Sequence, residues 1–314
     1  RPTTGVTGAR VAAAAAGVLL DLDEERALWA LGHAGTQAAG LWQLLDDGAE
    51  AAKPAHIGHA VRNGLWAASL AKSGVPGATR ILEGDRGLAK AFGLSLDRSK
   101  LEPADTAENL ALTTATTKAW PVCGQMHHIL DAVQELRART GVPADEITEI
   151  SVESFSATLE IAGISNPQTI AQARFSTPVC VAILWTTGQL SLSSENVFDP
   201  AIRALAAKVR LKEDPHLTRG FPAIRAGRVT VSTRSGERIT EARTGLRGDP
   251  EFPLSEAEMS ERFDTLAAAQ PAARREAVRV FSRQVAQEDG DDMALPETVA
   301  DLIFPVLHKV ETSS

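Results

Sequence analysis

Glu146-Ile147-Thr148-Glu149-Ile150-Ser151-Val152-Glu153-Ser154 sets Ile150 and Val152 against Glu149, Ser151 and Glu153, the period of two that marks a half-buried strand. The segments around it are helical, so this stretch decides between an all-helical and an α+β reading. On its amino side, Gln125 to Arg139 carries Met126, Ile129, Leu130, Val133 and Leu136 on one helical face, and Gly141-Val142-Pro143 stops it. On its carboxyl side, Pro178 to Trp185 reads as a helix. Gly227 to Arg243 then repeats the strand signal: Val229 and Val231 alternate, Ser235-Gly236 supplies a turn, and Ile239 opens the return strand.

Both ends of the chain read as helical. Residues 5–20 are dominated by Ala, Val and Leu and predict a buried helix. Asp23 caps a second helix through Leu28, Leu31 and Ala34. From His56, the residues Ile57, Ala60, Val61, Leu65, Ala68 and Ala71 recur at three and four and define one face, closed by Gly74. Beyond Pro253, Ser255 followed by Glu258 forms a capping box. Helices, then strands mixed with helices, then helices again predict an α+β, predominantly helical fold. An α+β domain is inserted into an all-helical one, with boundaries near residues 113 and 253.

The chain has 314 residues, 44% hydrophobic and 23% charged, with a formal net charge of −8. That length buries real cores without disulfides. An acidic excess with scattered Lys and Arg offers no basic face, so no nucleic-acid partner is expected. Two cysteines, Cys123 and Cys180, make no disulfide framework and no CxxC pair, and a reducing cytoplasm is the expected location. The longest apolar stretch, Val11 to Leu20, is only half the roughly 20 residues that span a bilayer, and no membrane partner is expected. There are five Trp and nine Phe but no Tyr, which excludes any mechanism needing a tyrosine phenol within this chain. The chain opens with Arg1-Pro2-Thr3-Thr4, without Met or a leader, and reads as truncated at its amino end.

The signatures GxSxG, HExxH and the P-loop are missing, and Gly5-Val6-Thr7-Gly8 is too short for a dinucleotide loop. Cys123 with His127 and His128 lacks the further ligand pair of a structural zinc, so no metal is assigned. Two segments are unusual. Ala52-Lys53-Pro54-Ala55-His56-Ile57-Gly58-His59 places a lysine and two histidines at a helix start, where anions are favoured. Lys118-Ala119-Trp120-Pro121 leads through Cys123 to His127 and His128 at another helix start. The plain alternatives are a solvated Lys53 beside a polar helix face, and a domain-crossing loop with a surface lysine and a packed histidine. Gathered in one cleft, Lys53, Lys118, His56 and His127 suit a small polycarboxylate.

Taken in order, Pro2-Thr3 before the Ala-rich helix, Ala34-Gly35-Thr36-Gln37-Ala38-Ala39-Gly40, Lys53-Pro54-Ala55-His56-Ile57-Gly58, Ile81-Leu82-Glu83-Gly84 with Gly87, Lys118-Ala119-Trp120-Pro121 and Ala173-Arg174-Phe175-Ser176 resemble the MmgE/PrpD family over essentially the whole chain. That family includes 2-methylcitrate dehydratase, cis-aconitate decarboxylase and iminodisuccinate epimerase. The resemblance implies a helical domain from both chain ends, residues 1–112 and 253–314, with an α+β lid, residues 113–252. It also implies a site in the cleft between them, a homodimer, and no cofactor. It places Lys53 and Lys118 on active-site lysines, with His56 and His127 on neighbouring motif positions. His127 or His56 is the candidate acid or base, and His56, Arg1 and Ser176 are the candidate substrate-binding residues.

Two departures bear on the reaction. Family members usually carry a histidine where this chain has Arg1, which stays protonated and can bind a carboxylate but not act as a base. Some members have a tyrosine shortly after the serine matching Ser176, where this chain has Thr177-Pro178-Val179. The family's amino-terminal helical stretch is absent from this sequence, which reads as a fragment, a naturally split subunit or a chain shown without its amino end. The expected activity is a cofactor-independent lyase of the 2-methylcitrate dehydratase type. Decarboxylation of cis-aconitate and epimerisation of iminodisuccinate are alternatives within the family, and a non-catalytic paralogue or partner subunit is the alternative of another class. Co-purification with a second polypeptide would mark the last.

Overall fold

The computed structural model of the chain describes residues 3–97 and 113–287. Arg1, Pro2, and the expected domain ends at residues 112 and 314 lie outside the described residues. The chain runs α1 (Thr3–Leu19), α2 (Glu24–Thr36), α3 (Gln43–Asp46), a 3₁₀ turn (Glu50–Ala52), α4 (Lys53–Lys72), α5 (Leu88–Phe92), a 3₁₀ turn (Gly124–Met126) and α6 (His127–Thr140). It continues with β1 (Ile147–Ser154), α7 (Ser156–Ala162), α8 (Ile170–Ala173), α9 (Thr177–Thr187), α10 (Ser194–Val197), α11 (Pro200–Ala206), β2 (Val209–Glu213), α12 (Pro215–Gly220), β3 (Ala226–Thr233) and β4 (Arg238–Thr244). The last described helices are α13 (Glu256–Leu266) and α14 (Ala272–Gln287). The fold is α+β, and no described helix is long and apolar enough to cross a membrane. Packing divides the chain into two compact units: residues 1–115 with 120–246, and residues 116–119 with 247–314.

In the first unit, α1, α2 and α4 pack on one another through small side chains. Their shared core is Ala9, Ala13, Ala16, Ala30, Ala34, Ala67, Ala68 and Ala71, edged by Leu20, Leu22 and Trp29. Asp23 caps α2 as its type predicts, accepting from the Arg26 amide at 2.9 Å. The apolar face read on α4 needs correction. Ala60, Ala68 and Ala71 are buried with Gly64 and Ala67, whereas Ile57, Val61 and Leu65 are each about half exposed. Residues 60, 64, 67, 68 and 71 also recur at three and four, and small residues there let the helix axes approach more closely than a stripe of Ile, Val and Leu would. On α1 the same rule buries Ala9, Ala13 and Ala16 and leaves Val11, Val18 and Leu19 exposed.

The sheet has the order β2-β1-β3-β4, with β1 parallel to β2 and antiparallel to β3, and β3 antiparallel to β4. Ile147, Ile150, Val152, Val229 and Val231 are fully buried in it. On this core lie α6, through Ile129, Leu130, Val133 and Leu136, and α9, every residue of which from Thr177 to Trp185 is buried. Gly141, at φ 63°, ends α6 in the left-handed conformation that glycine adopts without penalty. The strand β2 lies at one edge of the sheet, too short for its residue pattern to mark it. Its sequence Val-Arg-Leu-Lys-Glu is short and charge-laden, as suits an edge strand.

In the second unit, Ser255 and Glu258 form the complete capping box of α13, and Arg247 donates to Glu258 at 2.8 Å. Burial being slight here, the two hydrogen bonds from Ser255, rather than the arginine, are the main reason the Glu258 carboxyl is held below its usual range.

Candidate active site

The 3₁₀ turn Glu50–Ala52 runs directly into α4, and Lys53 is the first residue of that helix, with Pro54 behind it in the position that suits its fixed φ. Along this run Ala51, Ala52, Pro54, Ala55, Ile57, Gly58 and His59 are exposed, and Glu50, Lys53, His56 and Ala60 turn inward. The Lys53 ammonium lies 5.2 Å from the centroid of Trp42 and 4.9 Å from that of Phe175. Two ring faces hold a cation in place without neutralising it. Among the described residues no carboxylate lies within 4.0 Å of Lys53. The inner nitrogen of His56, Nδ1, is buried and has no hydrogen-bond partner among the described residues.

Phe175 ties Lys53 to the segment before α9. Ser176 is fully buried and caps α9, its Oγ accepting from the Val179 amide at 3.3 Å. The Cys123 amide donates to the Arg174 carbonyl at 3.0 Å, which brings the approach to α6 onto the same segment. His127, the first residue of α6, is 1% exposed. Residues 173–176 are thus the place where the Lys53 motif, Ser176 and the run into His127 meet. Lys118 is exposed and belongs to the second unit, where the Thr117 amide donates to the Gly248 carbonyl at 2.8 Å. Arg1 lies outside the described residues. Among the described residues no group of three or more His, Cys, Asp or Glu side chains is placed to hold a metal.

Beside His127 is a buried polar chain that the residue pattern did not reveal. His128 Nε2 is 2.9 Å from Ser154 Oγ, Ser154 Oγ is 2.9 Å from Thr158 Oγ1, and Thr158 Oγ1 donates to the Gln125 carbonyl at 2.9 Å. Counting protons fixes the directions. Thr158 spends its proton on Gln125, so Ser154 donates to Thr158 and must accept from a protonated Nε2 of His128. The ring is then the neutral Nε2–H tautomer, and its pKa is lowered to about 3 by burial first, then by His127 and Arg225. Because Gln125 precedes His127 by two residues, the chain anchors the start of α6 to β1 and α7. Gly227 permits this arrangement: a Cβ there would stand 2.6 Å from His128 Cδ2.

A pH dependence follows. The unfolded imidazole takes a proton below about 6.5, whereas the folded one resists it down to about 3, so stability falls with decreasing pH across that window. The expected slope is about 1.4 kcal/mol per pH unit from this residue. Urea unfolding at pH 6.5 and 5.0 should therefore differ by about 1.6 kcal/mol, since the slope is only half developed at pH 6.5, and His128→Gln should flatten the difference. An equal slope in that variant would assign the effect elsewhere.

The MmgE/PrpD N-terminal domain model matches residues 2–98, and the MmgE/PrpD C-terminal domain model matches residues 120–287. Cis-aconitate decarboxylase of Mus musculus is 26% identical over 275 residues, covering 82% of this chain and 54% of the relative. The Homo sapiens protein of the same name is 24% identical over 270 residues, with 82% and 54% covered. That of Aspergillus terreus is 27% identical over 284 residues, with 83% and 57% covered. The chain spans about half the length of the curated relatives it matches.

Proposed function

Because the chain belongs to the MmgE/PrpD family, we propose that it is a lyase of the 2-methylcitrate dehydratase type, acting on a small di- or tricarboxylate without a cofactor. In this reading Lys53 and Lys118 hold substrate carboxylates. A proton leaves the carbon next to one of them, the electron pair of that C–H bond becomes the new C=C bond, and hydroxide leaves the neighbouring carbon, taking up a proton as water. Lys53 and Lys118 stabilise the charge that develops as the proton departs. His127 or His56 carries the proton, and Arg1 and Ser176 complete the substrate-binding set.

The observation that carries the reading is Lys53 itself: a cation at a helix start, held between Trp42 and Phe175, with no carboxylate of the described residues within 4.0 Å. Such a group is complementary to an anion that arrives from outside. The same proposal includes a helical domain of residues 1–112 and 253–314, a lid of residues 113–252, a homodimer, and a cytoplasmic location. Decarboxylation of cis-aconitate is a second reading, favoured by the names of the relatives. The absence of tyrosine weighs against it wherever that chemistry uses a phenol as donor.

The test is to offer 2-methylcitrate, cis-aconitate and iminodisuccinate to the protein while following alkene absorbance and CO2. Alkene formation from 2-methylcitrate without CO2 is the expected result. Release of CO2 from cis-aconitate alone would move the assignment to the second reading, and turnover of none by folded protein would favour a non-catalytic subunit.

A further inference from the structure

Glu50 is 3% exposed, and neither of its carboxyl oxygens has a hydrogen-bond partner among the described residues. A buried carboxyl left in that state is costly, and a group so placed is normally satisfied by something that completes the site. It caps no amide of its own turn, since neither oxygen accepts a hydrogen bond from the described residues. In a 3₁₀ turn side chains three apart eclipse, so Glu50 stacks on the position of Lys53, and His56 follows three further on. The inward stripe of this run is therefore carboxyl, ammonium and imidazole, where an apolar stripe would serve if its role were packing. The turn packs against α3 and α8, the latter next to Phe175, so the stripe faces the surroundings of Lys53.

We propose that Glu50 binds the hydroxyl group of a hydroxylated polycarboxylate whose carboxylate sits on Lys53. A carboxyl cannot be matched to another carboxylate of the ligand without repulsion, whereas a hydroxyl both donates and accepts and suits either form of the Glu50 side chain. Glu50 and Lys53 together then distinguish a hydroxy acid from an unsaturated or fully reduced tricarboxylate of similar shape. The proposal rests on the polycarboxylate-lyase reading above and deepens it, because the hydroxyl so held is the group that leaves in a dehydration.

Citrate and tricarballylate carry the same three carboxylates and differ only by that hydroxyl, so they separate the two claims. Calorimetric titration of each into the full protein needs neither turnover nor a variant. Wild type is expected to bind citrate about tenfold or more tightly than tricarballylate, as one hydrogen bond to a buried charged or polar group supplies. Glu50→Met, which fills the space and removes both oxygens, should bind the two alike, at the wild-type affinity for tricarballylate. Equal binding of both by wild type, or a preference kept by Glu50→Met, would overturn the role of Glu50 while leaving the polycarboxylate reading standing. Binding of neither by wild type would overturn the reading itself and the proposal with it.

Discussion

Replacing Lys53 by methionine is expected to lower kcat/KM for the polycarboxylate substrate by about a hundredfold to a thousandfold, the loss seen when one preorganised charge-stabilising group is removed. Methionine keeps an unbranched stem between Trp42 and Phe175 and makes favourable sulfur contacts with rings, so the packing around position 53 survives. What disappears is the charge. The two ring contacts contribute about 0.5–1 kcal/mol each at most to holding the ammonium, and the urea midpoint should move little. Lys53→Arg should recover part of the activity, because the charge returns with a planar shape and a different reach. Lys118→Ala should reduce turnover by a similar factor, and unchanged turnover in that variant would remove Lys118 from the site.

Gly64→Ala is expected to destabilise the protein by about 2 kcal/mol, against the helix preference that favours alanine over glycine by about 1 kcal/mol. The reason is space. A Cβ at position 64 would stand 2.5 Å from the Ala9 carbonyl oxygen, 2.5 Å from Ala12 Cβ and 2.7 Å from the Ala13 nitrogen, all on α1. Two of those atoms belong to a helix backbone, so α1 and α4 must move apart, and the small-residue core between them opens. Gly58 lies on the same helix with nothing within 4 Å of a Cβ. Gly58→Ala should therefore stabilise by about 0.5–1 kcal/mol. Urea unfolding of the two variants reads both signs, and a stabilised Gly64→Ala would contradict the packing described for these helices.

Local chemistry explains which parts of this fold can be read from residues alone. Asp23, Gly141, Ser235-Gly236 and the Ser255–Glu258 box all satisfy backbone needs within a few positions, and each does in the fold what its type predicts. The alternation of β3 is equally local, because one face is buried. On β1, Ile150 and Val152 are buried as their period predicts, but Ser151 between them is buried as well, so both faces of the sheet are covered there. The face of α4 is different. Ile57, Val61 and Leu65 form a helical stripe as regular as Ala60, Gly64, Ala67 and Ala71, and periodicity cannot tell which stripe a neighbour will cover. Size decides it, and only once α1 is known to supply Ala9, Ala12 and Ala13 opposite.

The site shows the same division. Lys53 and His56 stand out because lysine and histidine at a helix start have few structural duties. Glu50 does not stand out: a glutamate three residues before a lysine reads as an ordinary surface pair, and only its burial, with both oxygens unsatisfied, sets it apart. Ser154 and Thr158 are common strand and helix residues, and their bond to His128 depends on β1 meeting α6. The motif around Ser176 marks it as a substrate contact, and in the fold its Oγ accepts from the Val179 amide. Trp42 carries no motif, and its place over Lys53 comes from the turn that joins α3 to α4.

The central claim is that Lys53 anchors an incoming carboxylate, and the most direct measurement is calorimetric titration of 2-methylcitrate into wild type and into Lys53→Met. Binding to wild type, weakened at least tenfold in the variant, is the predicted result. Equal dissociation constants, or no binding to the folded wild type, would contradict it.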